Sequence, residues 1–164
     1  MTTIPASNRT NNLLMARTRL SDFVTRKAQH VTRITGVNYE ECDNAPDSFD
    51  TVKECFKAAL RNVQPYKVYK GASVNTIYLK PHHNWAFRFW HDYLHFVRDL
   101  DFSTEHEIRV GQIQMAEVAQ EFGLGSLEYL LMEIDTVKQV EHFTRTGQFV
   151  ENQLEFALEH LEID

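Results

Sequence analysis

The residues with chemical potential are concentrated in one stretch, NWAFRFWHDYLHFVRDLDFSTEHEIRVGQIQ, residues 84–114. The chain has eight histidines, and five of them (His82, His83, His91, His95, His106) fall within 25 consecutive positions. His91 and His95 stand four apart. On a helix that spacing puts both imidazoles on one face, about 5–6 Å apart, where they can share a metal ion. The acid after the first histidine is Asp92, so the pattern reads HDxxH rather than HExxH. Aspartate is one methylene shorter than glutamate, and a general base there reaches less far. A turn expected near Asp99–Ser103 sets His95 about one helical turn before it and Glu107 about one turn after it. In an antiparallel helix pair these two positions come to the same height. Glu107 is therefore the expected third ligand. His91 is level with Gly111, and Gln114 continues the face of Glu107 and Gly111. With no side chain, Gly111 leaves room for a ligand or for close approach of a facing helix.

Two neutral imidazoles and a carboxylate suit a divalent metal (Zn²⁺, Mn²⁺ or Fe²⁺) with one position open to water, and such a site can activate that water for hydrolysis. The expected ligands are His91, His95 and Glu107. Asp92 is expected to orient a histidine or act as base, and Gln114 to hydrogen-bond water or substrate. Simpler explanations exist for each. The two histidines lie on a helix that is apolar nearly all round, where they would serve as half-buried structural residues. Asp92 could pair with Arg88, and Glu107 could complete a capping box with Thr104. An HD phosphohydrolase arrangement would need an earlier histidine (His30 or His83), the His91–Asp92 pair and a later aspartate, Asp135. The short step from His83 and the distance of His30 count against it. His142 is a reserve ligand, His82 and His83 are expected in a loop, and His106 and His160 on solvated faces.

Helices must position these groups. The apolar periodicity predicts a first helix from Asn12 to just before Gly36, with an incomplete stripe of Leu13, Leu14, Leu20, Phe23, Val24 and Val31. Residues 36–48 read as a loop. Ser48 or Asp50 caps a helix to about Asn62. Tyr66–Tyr69 and Val74–Leu79, joined by Lys70–Ser73, read as a short hairpin. Further helices are expected from the cap Asn84 to Asp99, over 104–122 with stops at Gly123 and Gly125, over Leu127–Thr144 after Ser126, and over Gln148–Leu161, with Phe149 among its apolar residues. The predicted fold class is mainly α: a single-domain helical bundle with one short β-hairpin. Residues 1–11 are expected as a disordered tail and residues 12–164 as one helical domain. A chain of 164 residues, 43% hydrophobic and 24% charged, fits one soluble globular domain and excludes collagen-like, low-complexity and fully disordered classes.

Charge is polarised along the chain. Residues 1–35 hold six bases and one acid, net +5, while residues 101–164 hold 14 acids and three bases, net -11. The basic end could bind a phosphate backbone, but the acidic half argues against nucleic acid as a partner. The better expectation is that the two ends meet, within the chain or in a homodimer. No run approaches the roughly 18 apolar residues of a membrane span, and the polar start lacks the apolar core of a secretory signal. Cys42 and Cys55 are expected as free thiols in a reducing cytoplasm.

The string FRFWHDYLHFVRDLDFSTEHEIRVGQIQ resembles a pattern of small uncharacterised proteins of tailed phages and prophages, roughly FRxWHDxxH followed by DFS, a glutamate and a glutamine. VEHFTRTGQFVENQLEFALEHL resembles the end of such proteins. The resemblance spans about residues 82–161 and departs at His106, where glycine is expected before the glutamate. It implies a phage origin and a location in the bacterial host cytoplasm, and it supplies no reaction. Two functions remain open: a metal-binding protein with hydrolase activity toward a phosphorylated small molecule or nucleotide, or a non-enzymatic phage protein that binds and modulates a host protein of defence or transcription.

Overall fold

The computed structural model describes residues 6–62 and 64–163. Its spine is α1 (Ala6–Thr35), which packs along α3 (Pro81–Arg98). Leu13, Ala16, Leu20, Phe23, Val24, Ala28 and Val31 are buried. Their spacing makes a continuous helical stripe. The stripe looked incomplete in sequence because alanines fill two of its positions. Leu14, expected in it, is exposed. The expected tail at residues 1–11 is overturned over residues 6–11, which are already helical. They are polar but hold no proline or glycine, and a helix anchored by packing propagates outward at little cost. Residues 1–5 lie outside the described residues.

The hairpin is also overturned. The strands are β1 (Tyr39–Cys42) and β2 (Tyr66–Tyr69), paired in parallel with Tyr39 opposite Tyr66 and Cys42 opposite Tyr69. The helix α2 (Phe49–Leu60) connects them, capped by Ser48 in a reciprocal box with Thr51. Glu40 pairs with Lys67 across the two strands. Val74–Leu79, the expected second strand, is irregular. The reason lies on α1. Arg17 donates from Nε to Ile77 O (2.9 Å) and from Nη2 to Thr76 O and Tyr78 O (both 3.2 Å). Leu79 N donates to Ser21 Oγ at 3.0 Å. A guanidinium and a hydroxyl one helical turn apart thus satisfy backbone groups that a sheet partner would otherwise take.

Aromatic stacking joins the sheet to α3. Phe56 stacks on Tyr66 (4.0 Å) and on Phe96 (5.0 Å), and Tyr39 on Phe89 (4.5 Å). The helix α3 starts at Pro81 rather than at Asn84, since proline at the first position costs no hydrogen bond. Asn84 is buried inside the helix and donates to Ser73 Oγ at 3.0 Å. The chain then turns at Asp99, in the left-handed region at φ 52°, into α4 (Thr104–Phe122). After Gly123–Ser126 comes one rod: α5 (Leu127–Glu133), a π turn (Ile134–Lys138) and α6 (Gln139–Thr146). The last helix, α7 (Gln153–His160), is shorter than expected and leaves Phe149 outside it.

The two charged ends meet within the chain. Arg19 pairs with Glu128 and Lys27 with Glu117, each at 2.5 Å, and Arg26 pairs with Glu121. The exposed Arg26–Glu121 pair contributes on the order of 0–1 kcal/mol, whereas Glu128 is buried beneath Arg19 and depends on that partner to compensate its charge. Among the described residues no helix is long and apolar enough to cross a membrane.

Gly111 sets the distance between α4 and the π turn. A Cβ there would lie 2.9 Å from both Cβ and Oγ1 of Thr136 and 3.2 Å from Val137 Cγ2. Thr136 has little freedom to yield, because its hydroxyl donates to Met132 O at 2.6 Å. Alanine would gain about 1 kcal/mol of helix propensity against an overpacking cost of about 1–3 kcal/mol. We expect Gly111→Ala to be net destabilising by up to about 2 kcal/mol in urea unfolding.

Candidate metal centre

His91 and His95 project from adjacent turns of α3, and Glu107 faces them from the first turns of α4. The connection between the helices is short enough to hold them at one height, as the spacing predicts. The glutamate is free to do this because the expected capping box is not made. Ser103, not Thr104, is the N-cap of α4, and no side chain caps it. Glu107 Oε2 lies 3.2 Å from His91 Nε2 and 3.4 Å from His95 Nε2, and the two Nε2 atoms are 3.1 Å apart. His95 is fully buried, while His91 and Glu107 are about one-fifth exposed (19% and 24%).

The other ring nitrogens settle the tautomers. His95 Nδ1 is 2.8 Å from Leu100 O, and His91 Nδ1 is 2.9 Å from Gln114 Oε1. A carbonyl oxygen only accepts, so both Nδ1 atoms donate. In the neutral rings both Nε2 lone pairs therefore point inward, toward each other and toward the carboxylate. This is the arrangement in which a metal-binding histidine is oriented by an outer hydrogen bond. The spacing fits as well. Ligands about 2.0–2.1 Å from a tetrahedral ion are about 3.3 Å apart, close to the 3.1–3.4 Å observed. Among the described residues, these three form the group of histidine and carboxylate ligands able to hold a metal ion.

Protonation follows the same geometry. Burial lowers the His91 pKa, but the hydrogen bond and charge of Glu107 outweigh it and raise the value to about 9. Burial would raise Glu107, and the two imidazoles instead hold it well below the usual carboxylate range. Without a metal, a proton shared with His91 takes the central position.

The remaining expected residues are placed differently. Gln114 is fully buried, and its carbonyl is spent on His91, so it positions a ligand rather than meeting substrate. Its Nε2 has no partner among the described residues. Asp92 points beside the triad. Its Oδ2 accepts from Tyr66 Oη at 2.9 Å, and burial raises its pKa. Neither histidine takes its orientation from it. Arg88 does not pair with Asp92. It donates to Gly71 O (2.7 Å), Ala72 O (3.4 Å), Ser73 Oγ (3.3 Å) and Tyr69 O. Gly111 faces the π turn rather than His91. His30 contacts Arg33, His83 stacks near His82, and His142 lies against Phe156, so none joins the triad. His106 is clasped by Asp101, with Nδ1 2.7 Å from Oδ1.

Two clefts reach the triad. One, of about 480 Å³, is bounded by His91, Glu107, Phe102, Phe143, Phe149 and Asp135. The other, of about 240 Å³, is bounded by His91, Glu107, Tyr69, Arg88 and Asp92. Asp135, the later aspartate of the HD arrangement, borders the larger cleft and does not join the triad. It accepts from Tyr78 Oη (3.1 Å) and Gln139 Nε2 (2.9 Å), and burial pushes its pKa up to about 6. The i, i+4 pair Asp135–Gln139 was the sequence signal for its position. Comparison of the chain with protein-family models, curated proteins and solved structures finds no match.

Two outcomes are expected. In metal-free protein, His91 titrates at about 9 when folded against an ordinary 6.5. Its contribution is therefore complete below pH 6.5 and lost as pH rises toward 9. Glu107 is depressed when folded, so its contribution is present above its ordinary 4.5 and lost as pH falls. Melting of chelator-treated protein should thus be highest between these limits and fall on the alkaline side, by up to about 2–3 kcal/mol in stability. His91→Ala should flatten that alkaline fall. Secondly, Gln114→Met keeps the volume but removes the acceptor on His91. Chelator competition should show metal affinity reduced roughly 10–100-fold with the fold intact.

Proposed function

We propose that this protein binds one divalent metal ion (zinc, manganese or iron) through His91, His95 and Glu107, and hydrolyses a phosphorylated small molecule or nucleotide. The observation that carries the reading is the convergence of three acceptor atoms within 3.4 Å, with both imidazole Nδ1 protons tied to carbonyl oxygens. His91, His95 and Glu107 would hold the ion, which would supply Lewis-acid chemistry for activating water and stabilising developing negative charge. In this reading Asp92 serves as base from the smaller cleft. Tyr66 holds one of its carboxylate oxygens, which fixes where the other can accept a proton. Gln114 and Leu100 O keep the imidazoles aimed. The phage origin and host-cytoplasm setting rest on the resemblance of residues 82–161. The alternative, a protein acting through an acidic surface on a host partner, is less well supported, because Glu117, Glu121 and Glu128 pair with α1.

Metal analysis of protein purified without a nickel column tests the reading. We expect about one equivalent of zinc, manganese or iron, lost in His91→Ala and in Glu107→Gln. Chelation should lower the melting temperature, since a ligand bound only by the folded state stabilises it. Sub-stoichiometric metal together with a melting temperature indifferent to chelator overturns it.

A further inference from the structure

The larger cleft has features that metal binding alone does not use. Phe143 and Phe149 stand at its mouth in a parallel stack, with ring centroids 4.5 Å apart and planes at 25°. Both are exposed, Phe149 at 80%. Sequence periodicity places Phe149 in the apolar face of a helix, yet it lies in the segment between α6 and α7, outside either. A large apolar ring held in water at the rim of a concave site is a surface suited to another ring. The inner wall continues in kind with Phe87, Phe102 and Val140. Polar groups are few and uncharged near the rim: Gln139, Thr104 and Thr144. Gln139 donates its amide to Asp135, which leaves its carbonyl as an acceptor, and the two threonine hydroxyls lie 3.4 Å apart.

The charge distribution decides which end of a ligand enters here. Arg88 is the lysine or arginine bordering the cleft among the described residues, and its Nη1 and Nη2 already donate to oxygens of the 69–73 segment. Asp135 adds an acidic group. The cleft therefore offers a phosphate little free positive charge before the triad is reached, and its aromatic walls suit a flat, uncharged ring with hydrogen-bonding edges. We propose that this cleft is the base subsite of a nucleoside phosphate, with the base stacked on the Phe143–Phe149 pair and the phosphate directed to His91, His95 and Glu107. This rests on the metal reading for the phosphate end, while the ring subsite stands on the aromatic pair.

The test is calorimetric titration of the full chain, metal-loaded and metal-free, with AMP, GMP, CMP and UMP. The matching nucleosides lack the phosphate, and ribose 5-phosphate lacks the base. Phe149→Ala and Phe143→Ala are compared with the unaltered chain. Melting temperature and metal content are recorded for each, and both should be unchanged because these rings are exposed. We expect at least one nucleotide to bind. Phe149→Ala should weaken that nucleotide and its nucleoside by roughly 5–150-fold, the range for loss of one base–aromatic stack. Ribose 5-phosphate should bind more weakly and ignore the substitution. If no metal is bound but the nucleoside still senses Phe149, the subsite holds and the metal reading falls. If metal is bound and no nucleotide binds, or binding ignores both substitutions, or ribose 5-phosphate equals the nucleotide, the subsite is overturned. Self-association that depends on Phe149 with no nucleotide bound also overturns it, and assigns the pair to a contact between copies of the chain.

Discussion

Two imidazole lone pairs and a carboxylate oxygen cannot share a space about 3 Å across unless something positive lies between them. That constraint governs the rest of this protein. His91, His95 and Glu107 are forced into such a space by backbone geometry, and their outward-facing nitrogens are tied so that the rings cannot rotate away. The positive partner is a proton or a metal ion, and the two compete for one position. A proton there is held tightly enough to move the His91 pKa to about 9. Metal binding at this centre would therefore be linked to proton release.

Holding the triad together occupies three successive positions on one face of α4. Glu107 supplies the carboxylate, Gly111 admits the neighbouring helix, and Gln114 anchors His91. These are i, i+4 and i+7, so they line up along the helix. The neighbour admitted by Gly111 is the π turn at Ile134–Lys138. Such turns insert an extra residue and redirect the side chains that follow. Here the turn contains Asp135, buried at the edge of the larger cleft and held by Tyr78 and Gln139. Glycine at 111 is thus tied to the site although it contacts no ligand atom.

The triad was legible in sequence because its determinants are local. An i, i+4 histidine pair, a short turn and a glutamate one turn beyond fix relative position through helical geometry alone. The mainly helical class was legible for the same reason. The β element was not. Its two strands are parallel and separated by α2, and β1 reads YEEC, which carries no strand signal. The stretch that did look like a strand, Val74–Leu79, is claimed by Arg17 and Ser21 from about 60 residues away. Gln114 is on the expected face, but its contact with His91 was not legible, since only the structure reveals that its carbonyl reaches His91 Nδ1. The aromatic pair at Phe143 and Phe149 escaped because a helical stripe and an exposed rim have the same composition.

The polarity of the chain also takes on a structural meaning. A +5 segment and a -11 half implied that the two ends meet, and α1 answers part of that acidity within the chain through Arg19, Arg26 and Lys27. The triad lies at the junction of two clefts of unlike chemistry, both bordered by His91 and Glu107. One is walled by phenylalanine. The other carries the Asp92 carboxylate, held by Tyr66. The proposed hydrolysis would use this division, because the attacking water and the bulk of the substrate must approach from different directions and the base must stand on the water's side. A purely structural pair of histidines would need neither opening. The two approaches to His91 and Glu107 therefore fit the proposed reading, in which ring and body would enter from the aromatic cleft and water from the side of Asp92.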